Sequence, residues 1–309
     1  MRLDDSPTSR TGRAGLLYAF GAYVLWGVFP LYWRQLDRVP PIEILAHRVL
    51  WSFAFTAVLI SWHRRWAEVR AVFRSRRTLV PLVVSTILIT GNWFLYIWAV
   101  AHEHVSEASL GYYVNPLFNV VLGRLVLGER LRPPALVAVL VASAGVLYLA
   151  VGLGTIPWVA LGLAVSFGVY GLVRKQAPVE PLVGLAVEAG LVAPLALLFL
   201  AGRFAEGTGA FPAGTGGEMA LLAGSGAATA LPLLFFAMAA KRLRYSTLGI
   251  VQYFSPSVQL FLAVAVFGEP FTDRHAVTFG LIWAAVALYA FDSLRAASRE
   301  RGTVAGVAR

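Results

Sequence analysis

The sequence contains no cysteine, and charged residues make up only 14% of its 309 positions. The absence of cysteine excludes disulfide bonds and cysteine-ligated metal sites. Soluble domains carry about 25% charged residues, whereas here 58% of the residues are hydrophobic. The chain is therefore expected to lie mostly within a lipid bilayer.

Aspartate is scarce as well, and it occurs only near the ends of the apolar runs, at Asp4, Asp5, Asp37, Asp273 and Asp292. A membrane-embedded lipid-linked transferase, which is the competing class, would need an aspartate pair or a metal cluster inside a span. The triplet His102-Glu103-His104 lies in a short loop without a third ligand nearby. We therefore predict a protein that is not an enzyme and that needs no metal and no cofactor.

Ten apolar stretches have the length of about 20 residues that a helix needs to cross hydrocarbon. They lie at 14–33, 42–62, 79–100, 106–127, 134–152, 155–173, 181–202, 219–240, 246–268 and 275–292. Membrane β-barrels show alternating segments of about 10 residues instead. The sequence therefore predicts an all-α membrane protein with ten transmembrane helices. The segment 205–217, rich in Gly, Thr and Ala, is predicted to be a mobile external loop.

Arginine is concentrated in alternate loops. The loop after the second span holds Arg64, Arg65, Arg70, Arg74, Arg76 and Arg77, whereas the loops at the opposite end hold only Arg34, Arg38, Arg203 and Arg274. By the positive-inside rule the richer side is cytoplasmic. We therefore expect both termini in the cytoplasm and a place in a bacterial cytoplasmic (inner) membrane. Topology and contact with anionic lipids account for the net charge of +10, so nucleic acid is not an expected partner.

One motif occurs twice. The segment LGYYVNP ends at Pro116 and LGIVQYFSP ends at Pro256, 140 positions later, and each proline is followed after 13 positions by the glutamate of a Gly-Glu pair. Because each half has five spans, the halves are predicted to enter the membrane from opposite sides as inverted repeats. The predicted divisions are an N-terminal tail at 1–13, repeats at 14–152 and 153–293, and a C-terminal tail at 294–309.

Polar residues inside spans usually face a cavity or a partner. Amide side chains form a stripe beside each of the two motif prolines, and paired proline-interrupted segments mark the solute site of many transporters. Hydrogen bonding between helices is the alternative role for these amides. Aromatic residues deep in the first and third spans provide candidate apolar walls. The predicted solute-binding residues are Trp26, Asn92, Trp93, Tyr96, Tyr112, Asn115, Asn119, Gln252, Ser255 and Gln259.

A second group of candidates, for coupling or gating, is ionisable. Glu43 and His47 lie one turn apart near the external end of the second span, where a carboxylate beside an imidazole forms a candidate proton site; anchoring at the membrane interface is the alternative. Arg48 and Glu188 are 140 positions apart, so we predict a buried ion pair between the two repeats, which would either fix the register of the helices, the favoured role, or act as a gate. Proton coupling and uncoupled facilitation or exchange both remain open.

Several segments match one family. They are Gly21-Ala22-Tyr23-x-x-Trp26-Gly27, Glu43-Ile44-Leu45-x-His47-Arg48, Gly91-Asn92-Trp93, Glu107-Ala108-Ser109-Leu110-Gly111-Tyr112 and Ser246-Thr247-Leu248-Gly249. Over about 16–293 the chain resembles the RarD group of EamA-type transporters, in the drug/metabolite transporter superfamily. The resemblance implies two inverted five-helix EamA repeats, alternating access, and export of a small metabolite or drug-like amphipathic solute. The superfamily's small four-helix relatives carry a glutamate in helix 1 that 14–33 lacks, so their coupling scheme is not implied. The expected partners are a small solute, membrane lipids and, if transport is coupled, protons.

Overall fold

The structure is a computed structural model that describes residues 10–152, 154 and 156–307. Within these ranges the chain is helical apart from short loops, and it contains no strand. The helices are α1 (Arg10–Trp33), α2 (Pro41–Trp62), α3 (Trp66–Arg74), α4 (Arg76–Ala101), α5 (Val105–Leu125), α6 (Pro133–Val151), α7 (Trp158–Gln176), α8 (Pro181–Ala205), α9 (Ala210–Ala213), α10 (Gly216–Ala240), α11 (Tyr245–Gln252), α12 (Phe254–Ala265) and α13 (Asp273–Val307). A 3-10 turn, Arg34–Leu36, follows α1.

Nine segments of the described chain are long and apolar enough to cross a membrane, and α11 and α12 together form one of them, Tyr245–Ala265. The remaining predicted span, the fourth at 106–127, corresponds to α5. This helix has 21 residues, but Glu107, Asn115 and Asn119 lower its hydropathy. The predicted all-α membrane fold is confirmed, and nine apolar segments with α5 are consistent with the ten predicted helices.

Proline and glycine set many of the helix ends. Pro41, Pro133 and Pro181 open α2, α6 and α8, where proline loses no hydrogen bond because the first N–H groups of a helix have no intrahelical partner. Gly128 and Gly268, in the loops after α5 and α12, have φ angles of 66° and 71°, a conformation that glycine adopts without strain. The Gly-Glu pairs therefore mark equivalent turns after equivalent helices, as their spacing predicts.

The two motif prolines have different effects on the backbone. Pro256 cannot donate to the carbonyl of Gln252, and the ninth span breaks there into α11 and α12. Pro116 lies inside a continuous α5. The break places the side chains of Gln252 and Ser255 on either side of an interruption at mid-span.

Contacts between helices run mainly from one half to the other. Corresponding helices pack together in the pairs α2 with α8, α5 with α11, and α6 with α13. In addition α1 packs on α10 and α12, while its counterpart α7 packs on α4 and α5. Exchanging the halves therefore reproduces the same set of helix contacts.

The loops and tails are more ordered than predicted. The arginine-rich loop contains α3, which buries Val72 and begins with a hydrogen bond of 2.7 Å between Arg65 and Glu68 that lowers the pKa of the Glu68 carboxyl. The helix α1 already begins at Arg10, and α13 continues to Val307, so both predicted tail boundaries fall inside helices. The rest of the predicted tails (1–9, 308 and 309) and positions 153 and 155, at the start of the second predicted repeat, lie outside the described residues.

Candidate functional site

A cavity of about 500 Å³ lies between the two halves. Its lining comes from α1, α2, α4, α5, α7 and α10 and from both sides of the break between α11 and α12. It extends to the α1–α2 loop, where the exposed Asp37 lines it. Small-molecule sites typically measure about 300–1,000 Å³, so the central cavity has room for a small organic solute.

Most of the predicted solute-binding residues meet in this cavity. Its lining includes Trp26, Asn92, Trp93, Tyr96, Tyr112, Asn115, Gln252, Ser255 and Gln259. Asn119 does not line it, because its side chain is fully buried behind Asn115 and Gln252. Further lining residues that the sequence did not single out as binders are Trp33, Phe167 and Thr229. The binding role of all these residues stays a prediction.

The amide stripes of α5 and α11 join in one hydrogen-bonded cluster. Asn115 Oδ1 accepts from Gln252 Nε2 at 2.7 Å and from Asn119 Nδ2 at 3.2 Å. Asn119 Nδ2 also donates to Gln252 Oε1 at 2.9 Å, and Asn115 Nδ2 donates to the Ala164 carbonyl at 2.9 Å. The cluster therefore bonds the two halves together, which is the alternative role, while two of its members also line the cavity.

The remaining amides present mainly acceptors to the cavity. Asn92 donates its NH₂ group to the Leu163 carbonyl at 2.9 Å and to Ser166 Oγ at 2.8 Å. Gln259 donates to the Trp26 carbonyl at 3.1 Å. Asn92 uses both hydrogens of its NH₂ group and Gln259 uses one of its two, while neither carbonyl oxygen has a hydrogen-bond partner in the described residues. These oxygens are therefore acceptors available to a solute.

Aromatic rings form the walls. Trp26 lies 5.6 Å from Phe167, edge to face, and 5.8 Å from Phe236, measured between ring centroids. Tyr96 and Tyr112, which also line the cavity, have ring centroids 6.2 Å apart. Such rings provide planar apolar surface together with phenolic hydroxyls.

The predicted ion pair between Arg48 and Glu188 is wrong. Arg48 lines the central cavity, where its Nε donates to Thr229 Oγ1 at 3.0 Å. Its guanidinium carbon lies 4.8 Å from the ring centroid of Trp33 and 5.2 Å from that of Trp93. Glu188 faces a different part of the bundle.

Glu188 belongs to a buried cluster near the end of α7. Its Oε1 accepts from Ser85 Oγ and lies 3.5 Å from Arg174 Nε, and Arg174 also donates to the Pro181 carbonyl at 2.9 Å. The side chains of Arg174 and Glu188 are only 1% and 4% exposed. The 140-residue offset identifies helices that do pack together, α2 and α8, but it does not determine which face of each helix carries the charge.

Glu43 and His47 share a second cavity of about 210 Å³, as their spacing suggests. Glu43 Oε1 accepts from the Ala210 amide at 2.5 Å, and its Oε2 lies 3.7 Å from Arg203. His47 packs against the Phe211 ring, and neither ring nitrogen has a hydrogen-bond partner in the described chain. The predicted external loop therefore docks over both residues through Ala210 and Phe211.

Packed aromatic residues close the central cavity at the end that carries the arginine-rich loops. Tyr170, Phe236 and Tyr245 are each at most 1% exposed. Tyr170 stacks on Phe236 at 6.3 Å, and the Tyr245 hydroxyl donates to the Gly168 carbonyl at 2.7 Å. The central cavity is thus open at the arginine-poor end and closed at the arginine-rich end.

Two lysines join helix ends on the arginine-rich side of these aromatic residues. Lys175, at the end of α7, donates to the Ala240 carbonyl at 2.7 Å and to the Leu243 carbonyl at 2.5 Å. Lys241, just after α10, donates in return to the Ala177 carbonyl. Partial burial, with nearby cations as a smaller cause, lowers the pKa of Lys241 to about 8. These reciprocal bonds join the C-terminal ends of α7 and α10.

Comparison with known proteins identifies the family. Residues 13–151 match the EamA-like transporter family. The chain is 43% identical to the uncharacterized transporter YojE of Bacillus subtilis, covering 92% of this chain and 95% of the relative, and 44% identical to the protein RarD of Escherichia coli, covering 91% and 95%. It is 30% identical to the chloramphenicol-sensitive protein RarD of Pseudomonas aeruginosa, covering 93% and 96%.

A solved crystal structure that is 24% identical supports the fold, with a TM-score of 0.71 over 91% of this chain and 98% of that one. The full-length relatives are bacterial and carry the name transporter or RarD. The described part of this chain likewise contains several helices that can cross a membrane. The protein is therefore a bacterial multi-pass membrane transporter that belongs to the RarD group of the EamA-like transporter family, within the drug/metabolite transporter superfamily.

Proposed function

We propose that the protein is a secondary transporter that binds a small amphipathic solute in the central cavity and exports it by alternating access. The observation that carries this proposal is a cavity between two halves that is open at one end and closed by Tyr170, Phe236 and Tyr245 at the other. Access from one side at a time is what alternating access requires. A transferase is disfavoured because the only carboxylate in the described lining is Asp37, at the exposed mouth.

We further propose that the halves, 14–152 and 153–293, are inverted repeats. The exchange pattern of helix contacts supports this arrangement, because α1 packs on α10 and α12 as α7 packs on α4 and α5. In such transporters one repeat rocks against the other around a site at their interface. The central cavity occupies that interface.

Transport can be tested without knowing the solute. Cells that express the protein should retain less of one or a few metabolites than cells without it, in an untargeted comparison by mass spectrometry. Trp93→Ala, which removes part of the cavity wall, should weaken this difference, whereas Trp62→Ala, at an 82% exposed position outside the cavity, should not. Equal metabolite levels with and without abundant folded protein would contradict the proposal.

The orientation proposed has both termini and the arginine-rich loops in the cytoplasm. Because the sequence lacks cysteine, single cysteines can be introduced without background. Ala71→Cys in α3 should react with a membrane-impermeant thiol reagent only in inverted vesicles, and Glu206→Cys only in intact cells; both positions are exposed. The opposite pattern would place the arginine-rich end outside.

We propose that the pair of Glu188 and Arg174 stabilises the closed arginine-rich end.

We propose that Glu43 and His47 form the coupling site. Glu43 shares the smaller cavity with His47, Arg203 of α8 lies 3.7 Å from Glu43, and the ring of Phe211 packs on His47. In liposomes, an imposed pH gradient should drive transport of the solute that the metabolite comparison identifies. Glu43→Gln with His47→Asn should abolish that response, and His63→Asn, at an exposed position, should preserve it. A transport rate that does not depend on the pH gradient would contradict proton coupling and favour facilitated diffusion or exchange.

A further inference from the structure

The guanidinium of Arg48 is fixed by the protein but not neutralised. Thr229 accepts from Nε, and the rings of Trp33 and Trp93 lie beside the charge at 4.8 and 5.2 Å. Cation–π contacts orient a guanidinium without cancelling its charge. In the described residues no hydrogen bond engages the two terminal nitrogens, so the part of the side chain that best recognises a planar oxyanion is available.

Arg48 has no ionic partner among the described residues of the central cavity. Arg48 is the only cationic residue in the described lining, and no carboxylate of the described chain lies within ion-pairing distance of it. Two carboxylates that the sequence suggested as neighbours of Arg48 are engaged elsewhere: Glu43, on the same helix, contacts Arg203, and Glu188, at the repeat-equivalent position, contacts Arg174. Asp37 lies at the exposed mouth of the cavity, and no ion pair joins it to Arg48 in the described chain. A counter-charge in contact with Arg48 must therefore come from a bound molecule or from solvent ions.

We propose that the transported solute carries an oxyanion, a carboxylate or a phosphate, and that Arg48 binds it. This inference rests on the proposed function, since it names the solute class of the same cavity. Arginine forms bidentate hydrogen bonds with both groups. The wall formed by Trp26 and Phe167 suits a planar apolar body, and the free oxygens of Asn92 and Gln259 suit donor groups on that body.

Three probes with one ring system and different charges test the proposal. Indole-3-acetate, indole-3-acetamide and tryptamine carry an anionic, a neutral and a cationic group on the same indole. Binding to the purified full-length protein in nanodiscs is measured by thermal stabilisation. We expect the wild type to bind the acetate most tightly. Loss of a hydrogen-bonded charge contact corresponds to about tenfold to a hundredfold in affinity, and Arg48→Gln should lose that amount for the acetate but little for the acetamide.

Matched variants separate recognition from folding. Arg48→Lys should keep part of the preference for the anion, because it keeps the charge and loses the bidentate geometry. Thr229→Val should weaken acetate binding less than Arg48→Gln does, through loss of the bond that orients Nε. Arg34→Gln, which removes an arginine stacked on Phe267 outside the cavity, should leave the affinities for all three probes unchanged.

Two results would overturn the inference. The first is equal or tighter binding of the acetamide or tryptamine; the second is a preference for the acetate that survives in Arg48→Gln. If the metabolites that the protein exports from cells are neutral or cationic, the proposed transport function is supported and the proposed oxyanion is rejected. If the protein exports no metabolite, the proposed transport function itself is contradicted. Nanodiscs of phosphatidylglycerol and of phosphatidylcholine distinguish a lipid anion from a soluble one. If indole-3-acetate binds more weakly in phosphatidylglycerol than in phosphatidylcholine, the anionic lipid headgroup competes for Arg48, and a soluble solute is rejected as the ligand.

Discussion

Replacing Glu188 by alanine should lower the free energy of unfolding by about 3–5 kcal/mol, the usual cost of removing one partner of a buried ion pair. The change leaves Arg174, only 1% exposed, without its carboxylate, and it leaves Ser85 without an acceptor on α8. Little variant protein should therefore reach the membrane in folded form. Thermal unfolding of protein purified in detergent, with fluorescence-detected gel filtration, measures the loss.

A double-mutant cycle identifies the true partner of Glu188. The double variant Arg174→Ala with Glu188→Ala should be more stable than the sum of the two single losses implies, because residues in contact are not additive. Arg48→Ala with Glu188→Ala should be additive, because these side chains do not meet. Coupling between Arg48 and Glu188, with additivity for Arg174, would contradict the described cluster.

Replacing Gly226 by alanine should destabilise the protein by roughly 1–3 kcal/mol or more, the range for overpacking, and should also abolish transport. At this position α10 crosses α2 so closely that Ser52 Oγ donates to the Gly226 carbonyl at 3.0 Å, and an added Cβ would overlap the backbone of Trp51. Helix backbones cannot yield as a flexible side chain can. One turn further along α10, Thr229 holds Arg48, so a wider helix spacing would also move the cation of the central cavity.

The matched control is Gly91→Ala in α4, where an added Cβ meets no atom within 4 Å. Exchange of glycine for alanine inside a helix normally stabilises it by about 0.5–1 kcal/mol, so this variant should be at least as stable as the parent. Equal behaviour of the two variants in thermal unfolding and in metabolite retention would show that α2 and α10 are not in close contact at Gly226.

Periodicity and the internal repeat predict the features that depend on helix geometry. Apolar run length predicts the spans, and one-turn spacing predicts that Glu43 and His47 share an environment. An offset of 141, one more than that of the motif prolines, aligns Trp26-Gly27-Val28-Phe29 with Phe167-Gly168-Val169-Tyr170. The rings of Trp26 and Phe167 meet in the cavity wall. The sequence therefore contained a signal for Phe167 as a lining residue that the prediction did not use.

Features that depend on the rotation of a helix or on distant contacts are not encoded locally. The repeat places Arg48 and Glu188 on helices that pack together, but the facing sides are fixed by neighbours such as Thr229 and Ser85, far away in sequence. The composition of 205–217 predicts only a loop, since its docking depends on the bond from Ala210 to Glu43. The sequence predicts only a loop where the arginine-rich α3 forms, because charge masks its short apolar stripe, which includes Val72.

The pair of reciprocal lysine bonds makes the chain suited to chemical footprinting. Lys175 and Lys241 are the only lysines in the sequence, so apart from the N-terminus every primary amine of the chain lies where α7 and α10 end. Packing of the helix ends partly buries Lys241, which lowers its pKa to about 8 and limits the access of a reagent to the amine. Modification of these two lysines by an amine-selective reagent, measured on the lysine-containing peptides and not on the N-terminal amine, therefore reports the separation of the two helix ends. Native arginine elsewhere contributes no background to that signal.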